Sequence, residues 1–228
     1  MSTKVQHGLA FATPGTTIGL GAASSVPWNP PGVGSFVVAG LAQANSPGNP
    51  TEAETPLDLV TAIRTNTAAN IRCSMYAGIT PAGGSWDTLT FDTGDSDNLT
   101  LEAVELTHPG AASWTTHVPV SAGAEVTSGV SIGSGNIVIT DPNAVLVVLV
   151  GFQGSQPGAG QPSFSGTGWG WVANNRFGAM AVRIPGAAGT YSTTCSWANP
   201  ANAFVITAAF APVVAAGGRK LQMGGLRL

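Results

Sequence analysis

Apolar and polar residues alternate with a period of two through much of this chain, and a stripe of period 3.6 is missing from nearly all of it. Ser35–Leu41, Ile71–Ile79, Trp86–Phe91 and Leu99–Leu106 read as strands, with Gly, Asp and Asn clusters between them. Asn136–Thr140 is a shorter strand. Ala144–Phe152 is an unbroken apolar run rich in branched aliphatics, the pattern of a strand buried on both faces. Phe177–Ile184, Tyr191–Trp197 and Phe204–Phe210 complete the set. Pro56–Arg64 fits either a short helix or a strand. Asp92–Asn98 reads as an oxygen-rich turn between two strands, its Asx side chains bonded to the backbone, with a calcium site at Asp92, Asp95 and Asp97 as the alternative.

The chain also resembles itself. Shifted by 105 residues, Met75 falls on Met180, Ala77 on Val182, Ile79 on Ile184 and Trp86 on Tyr191. The same shift puts Leu99 on Phe204, Leu101 on Ile206 and Ala103 on Ala208. Phe36–Leu41 matches the Ala144–Val150 run once a short gap is allowed. A period this long is too long for a solenoid or a propeller blade, and it fits two four-stranded motifs folding together. The expected fold is therefore all-β: an eight-stranded, jelly-roll-like β-sandwich made of two four-strand halves, roughly residues 35–110 and 144–212. Residues 1–34, rich in small residues and carrying Trp28 among three prolines, predict an extended N-terminal arm outside a sandwich of residues 35–212. Residues 213–228 predict a short C-terminal tail.

Composition narrows the function. Only 8% of the residues are charged, against roughly 25% in an ordinary soluble domain, while 43% are hydrophobic. Such a surface suits lateral packing in a homo-oligomer more than a free monomer. The net charge of -3 gives no general attraction to nucleic acid. No apolar run approaches the ~20 residues of a membrane helix, and the N-terminus lacks a signal-peptide pattern. The charge is divided: every acidic residue lies in residues 1–141, and Arg176, Arg183, Arg219, Lys220 and Arg227 follow with no acid among them. This division suggests complementarity, across the sandwich or between subunits.

Candidate chemistry is sparse. Cys73 and Cys195 form no CxxC or Cys/His cluster and predict buried free thiols, without metal or other cofactor. Gly129–Gly133 matches G-x-S-x-G around Ser131, but a strand follows it where a nucleophile elbow needs a helix. His7, His108 and His117 are scattered, and no catalytic residue is assigned. Trp169 and Trp171, in a glycine-rich stretch, either stack on a sugar face or cover the edge of the core. Trp28, Trp169, Trp171, Arg219, Lys220 and Arg227 are the candidate ligand or partner contacts.

The opening strand, Ile71–Tyr76, the Ala82–Trp86 turn, Leu99–Val104 and Val145–Val150 follow one another in an order that resembles the jelly-roll modules of tailed-phage virion proteins. Such modules occur in minor tail proteins, head fibres and capsid decoration proteins. The resemblance covers roughly residues 35–212 and implies a non-enzymatic structural protein of the virion, made in the host cytoplasm. Its partners would be copies of itself, for instance in a trimer, and other virion proteins. The alternative is a carbohydrate-binding, host-adhesion module that holds a surface glycan through its tryptophans.

Overall fold

Strands form at most of the places where the alternation predicts them, and several run further; the expected Tyr191–Trp197 strand is instead interrupted at Ser192–Thr193. The structure, a computed structural model, describes residues 2–20, 32, 34–44, 51–52, 57–64, 71–80, 89–153, 162–175 and 178–214. No helix occurs among the described residues. The first half of the chain forms β1 (Thr3–Leu20), β2 (Phe36–Ala44), β3 (Thr51–Glu52), β4 (Asp58–Arg64), β5 (Ile71–Ile79) and β6 (Leu89–Thr107). The second forms β7 (Ala111–Gly133), β8 (Ile137–Ile139), β9 (Val145–Phe152), β10 (Ser163–Phe164), β11 (Trp169–Asn175), β12 (Gly178–Arg183), β13 (Gly189–Tyr191) and β14 (Thr194–Val214). The ambiguous Pro56–Arg64 segment is thus strand from Asp58 onward. Its helical alternative is overturned because β5 offers an antiparallel ladder to pair with, broken only by a bulge at Val60.

The first half builds one sheet, and the second builds a sheet of the same layout together with a small two-stranded one, β8-β13. Sheet A has the order β1-β6-β2-β5-β4, and sheet B has β14-β9-β12-β11 with β7 on the far side of β14. The two orders are the same once β1 is matched with β7, β6 with β14, β2 with β9, β5 with β12 and β4 with β11. The short strands follow suit: β3 pairs with β6 at Phe91–Asp92, and β10 pairs with β14 at Cys195–Ser196. The edges are crossed alike, since β1 lies against β11 and β4 against β7. The molecule is a sandwich of two antiparallel sheets with a two-fold internal pseudosymmetry.

The pairing registers locate the repeat residue by residue. Val38 lies between Ala77 and Val104, and Val147 lies between Val182 and Ala208. Met75 and Met180 therefore occupy matching positions, at the 105-residue offset of β5 on β12. Along the long strands the offset is 104 residues, from Val104 to Ala208 and from Leu106 to Phe210. The sequence alignment of Leu101 with Ile206 and Ala103 with Ala208 is consequently one residue out. One residue matters in a strand, because it moves a side chain to the opposite face. Leu101 matches Val205 on the outer face, and Ile206 matches Glu102 on the inner. Trp86, the proposed mate of Tyr191, lies outside the described residues.

The inner faces meet in one apolar layer. It includes Val38, Met75, Val104 and Leu106 from sheet A and Val147, Leu149, Met180, Ile206 and Phe210 from sheet B. The outer faces are covered as well. Leu41, Tyr76, Phe91 and Leu101 form a second cluster on sheet A. Val148, Val150, Phe152, Cys195 and Trp197 form a third on sheet B, and Ile137, Ile139, Leu146 and Ala209 a fourth. Phe91 and Leu101 come from one strand yet share a cluster, so the far end of β6 folds back over its own sheet. A bulge permits this bend. Five residue steps from Asp92 to Asp97 oppose two from Thr17 to Gly15. Sheet B has the same device at the matching place, with Ser196 to Ala201 opposing Ser131 to Gly129. The Asp92–Asn98 turn expected from sequence is this bulge inside a continuous strand. The β6 partner strand holds it in register on both sides.

Residues 3–20 of the predicted arm are extended, as its composition implies, and they pair along β6 as the edge strand of sheet A. Ser2, buried at the start of β1, donates its hydroxyl to the carbonyl of Asn143 at 2.8 Å and so ties this strand to the second half. The sheet therefore begins at Thr3, where the sequence reading begins the sandwich at residue 35. A sheet edge accepts small residues such as those of β1, because pairing there needs backbone groups more than side-chain bulk.

Candidate functional site

A group of aromatic and basic side chains lies at the described surface on the outer face of sheet B. Trp169 and Arg183 are cross-strand partners on β11 and β12, and Arg183 is in turn opposite Leu146 on β9. The turn before β11 is built on Gly166 and Gly168, with φ of 97° and 82°, values that only glycine adopts without strain. That turn brings the backbone close to the Arg183 side chain; a Cβ at Gly168 would lie 3.7 Å from its Nε. The guanidinium carbon of Arg183 stands 4.5 Å from the ring centroid of Tyr191, a cation–π contact. The Tyr191 hydroxyl donates to the carbonyl of Ala187 at 2.8 Å, which fixes the ring.

Trp169 is only partly available here. Its indole N–H donates to the carbonyl of Ser192 at 3.2 Å, and its ring packs against both outer clusters of sheet B. It is a half-buried cover over the core edge, in line with the second of its two sequence readings. Trp171 is at the next same-face register position of β11, opposite Ala181. Trp28, Arg219, Lys220 and Arg227 lie outside the described residues. Sequence reasoning missed Arg183 and Tyr191. Their contact joins β12 to β13, which pairs with β8, and no local pattern announces it.

Ser131 is an exposed residue inside β7, opposite Ser196. Gly129 and Ser131 match Gly15 and Thr17 in the first half, where they flank the bulge partner. The G-x-S-x-G spacing thus belongs to the sheet, and no strand-to-helix turn follows it. Trp114, on β7, is stacked on Phe36 with centroids 4.9 Å apart and planes 9° apart. With Phe210, which also meets Phe36, it packs against the inner layer. Cys73 and Cys195 are free and buried, and burial pushes each thiol up to about 12, with the nearby Glu102 carboxyl adding to the rise. Neutral thiols of this kind are poor nucleophiles and poor metal ligands. Among the described residues no three His, Cys, Asp or Glu side chains come together as a metal site. No described helix is long and apolar enough to cross a membrane.

Glu102, in the inner layer, is a charged-type residue to which the sequence assigned no role. Leu99–Leu106 alternates, and either parity places one glutamate inward, Glu102 or Glu105. Both prove buried, since both faces of sheet A are covered. Glu105, on the outer side, accepts a hydrogen bond from the Gly32 amide at 3.0 Å. Glu102 is fully buried, and neither carboxyl oxygen has a hydrogen-bond partner. Burial raises its pKa well above the usual carboxylate range.

Compared with known proteins, the chain matches no family model, no curated protein and no solved structure.

Proposed function

We propose that the protein is a non-enzymatic structural subunit of a phage virion, placed in the tail or on the capsid surface and acting by packing against copies of itself and against other virion proteins. The observation that carries this reading is the end of β14. Val213 and Val214 stand 42% and 50% exposed there, side by side. The chain then continues into a stretch that mixes Arg219, Lys220 and Arg227 with Leu221, Met223, Leu226 and Leu228. A bare aliphatic strand end followed by basic and aliphatic residues suits a docking site on an acidic neighbour, and the first 141 residues of this chain hold every acid. In this reading the two four-strand cores, β6-β2-β5-β4 and β14-β9-β12-β11, are the eight strands of a jelly-roll-like assembly module.

Mass spectrometry of purified particles tests the proposal. The protein should be found in them, in high copy on a capsid or in low copy at a tail, and its absence from particles would overturn the reading. In solution the full chain should associate with rising concentration, and deletion of residues 217–228 should abolish that association.

The glycan-adhesion alternative draws on one observation, the Arg183–Tyr191 pair beside Trp169 at the surface. Glycan-array binding by the full chain that is lost in Tyr191→Ala would favour it over the structural reading.

A further inference from the structure

Matching the inner faces of the two sheets position by position exposes a place where they differ in kind. Gly40, Thr100 and Glu102 of sheet A stand where sheet B has Leu149, Phe204 and Ile206. Three large apolar side chains in one half are matched by a missing side chain, a hydroxyl and a carboxyl in the other. The partner sheet fills part of this gap: a Cβ at Gly40 would lie 2.6 Å from Met180 Cε and 2.7 Å from Leu149 Cδ1. The Glu102 carboxyl is left in the inter-sheet layer beside Gly40, with Thr100 Oγ1 also buried and without a partner.

We propose that Glu102 is an acid-locked wedge between the sheets, a neutral carboxylic acid in the closed sandwich whose ionisation weakens the packing of sheet A on sheet B. A carboxylate without partners in a low-dielectric layer is strongly unfavourable, whereas a neutral carboxyl costs only its unmade hydrogen bonds. The neighbours supply no opposite charge that the structure describes. β2 presents Gly40 and Ala42, and β5 presents Met75 and the neutral thiol of Cys73. Sheet B presents Leu149 and Met180, with the thiol of Cys195 nearby and also neutral. On β1 the same-face register positions belong to Leu9 beside Glu102, His7 beside Val104 and Lys4 beside Leu106. The geometry that carries the inference is the orphaned carboxyl in place of Ile206, and its raised pKa agrees with it.

The sign follows from proton linkage. The folded protein holds the Glu102 proton at pH values where the unfolded chain, titrating near ~4.3, has lost it. Stability is therefore greatest below that value. As pH rises toward the folded pKa, the unfolding constant grows about tenfold per pH unit. The proton goes to solvent as the sheets part.

Urea unfolding of the full chain from pH 4.5 to 9, on wild type, Glu102→Gln and Glu102→Ile, tests this directly. The wild type should lose stability as pH rises, and both variants should be flatter and more stable at pH 8. Because Glu102→Ile installs the residue of the other half, it guards against a glutamine that fails to fold. Wild-type protein alone gives a second reading: unfolding at pH 7 should release one proton more than other groups account for. A carboxylic-acid carbonyl band should also appear in its infrared spectrum. Parallel pH profiles in wild type and Glu102→Ile would overturn the proposal. So would wild-type stability that climbs from pH 4.5 to 6, because a carboxylate ionised and paired, for instance with His7 or Lys4, behaves in that way.

Discussion

Sheets A and B share strand order, crossed edges and a bulge at the same place, yet their inner faces are filled differently. At three matching positions sheet B has Leu149, Phe204 and Ile206, and sheet A has Gly40, Thr100 and Glu102. The shared part is topology, fixed by backbone pairing and by which faces are covered. The differing part is volume, and the halves are complementary in it: the space that Gly40 leaves is occupied by Met180 and Leu149 of the other sheet. A repeat that packs against itself cannot put a large side chain at every matching position across the pseudo-dyad. One half yields room, and the polar groups in that room are tolerated only when neutral.

The strongest way to break the comparison is to make the halves alike in the wrong direction. Ile206→Glu places a second orphan carboxyl in the inner layer. At neutral pH it should cost several kcal/mol, enough to unfold the protein at room temperature, with partial rescue in acid. Chemical denaturation at pH 4.5 and pH 8 checks both parts. Next come Leu101→Ala and Ile206→Ala. The two residues lie on opposite faces of their sheets, but both are fully buried, and each should lose about 2–5 kcal/mol. A negligible loss at Leu101 would show that the outer face of sheet A is not a core.

Gly40→Ala sharpens the volume argument. The added methyl should cost about 1–3 kcal/mol, and a second change, Leu149→Ala, should cost less in that background than alone. Additive costs would mean that the two sheets do not meet there. The ends of the chain differ in a similar way. Removing residues 1–20 takes away the strand that pairs with β6, and the thermal midpoint should fall by several degrees. Deleting residues 217–228 should leave it nearly unchanged, as calorimetry would show. Smallest of all is Trp169→Phe, which keeps the ring packing and loses the bond to Ser192, worth about 0.5–1.5 kcal/mol.

Much of this fold is legible in the chain. Period-two alternation marks β2, β5 and β12, the buried run marks β9, and the coincidence of Met75 with Met180 points to a repeat. Three things resist reading, for physical reasons. The ladder of β1 lies in small residues whose contribution is backbone pairing, and side-chain patterns say nothing of that. The Asp92–Asn98 segment has turn chemistry, and a bulge uses the same residues as a turn, so only the partner strand tells them apart. The register of β6 on β14 is ambiguous because both faces are buried. Parity then carries no signal, and Leu101 aligns with Ile206 as readily as with Val205. The Arg183–Tyr191 pair was hidden likewise, because it joins two sheets.

The two halves form one sandwich in which sheet B fills the space at Gly40. Methyl-labelled methionine is the most direct probe, since the chain has only four methionines. In a nuclear Overhauser spectrum the Met180 methyl should show strong contacts to the α protons of Gly40, across the inter-sheet layer. Met180 contacts confined to residues after Ala111 would contradict the account, because the halves would then be separate units with no shared core.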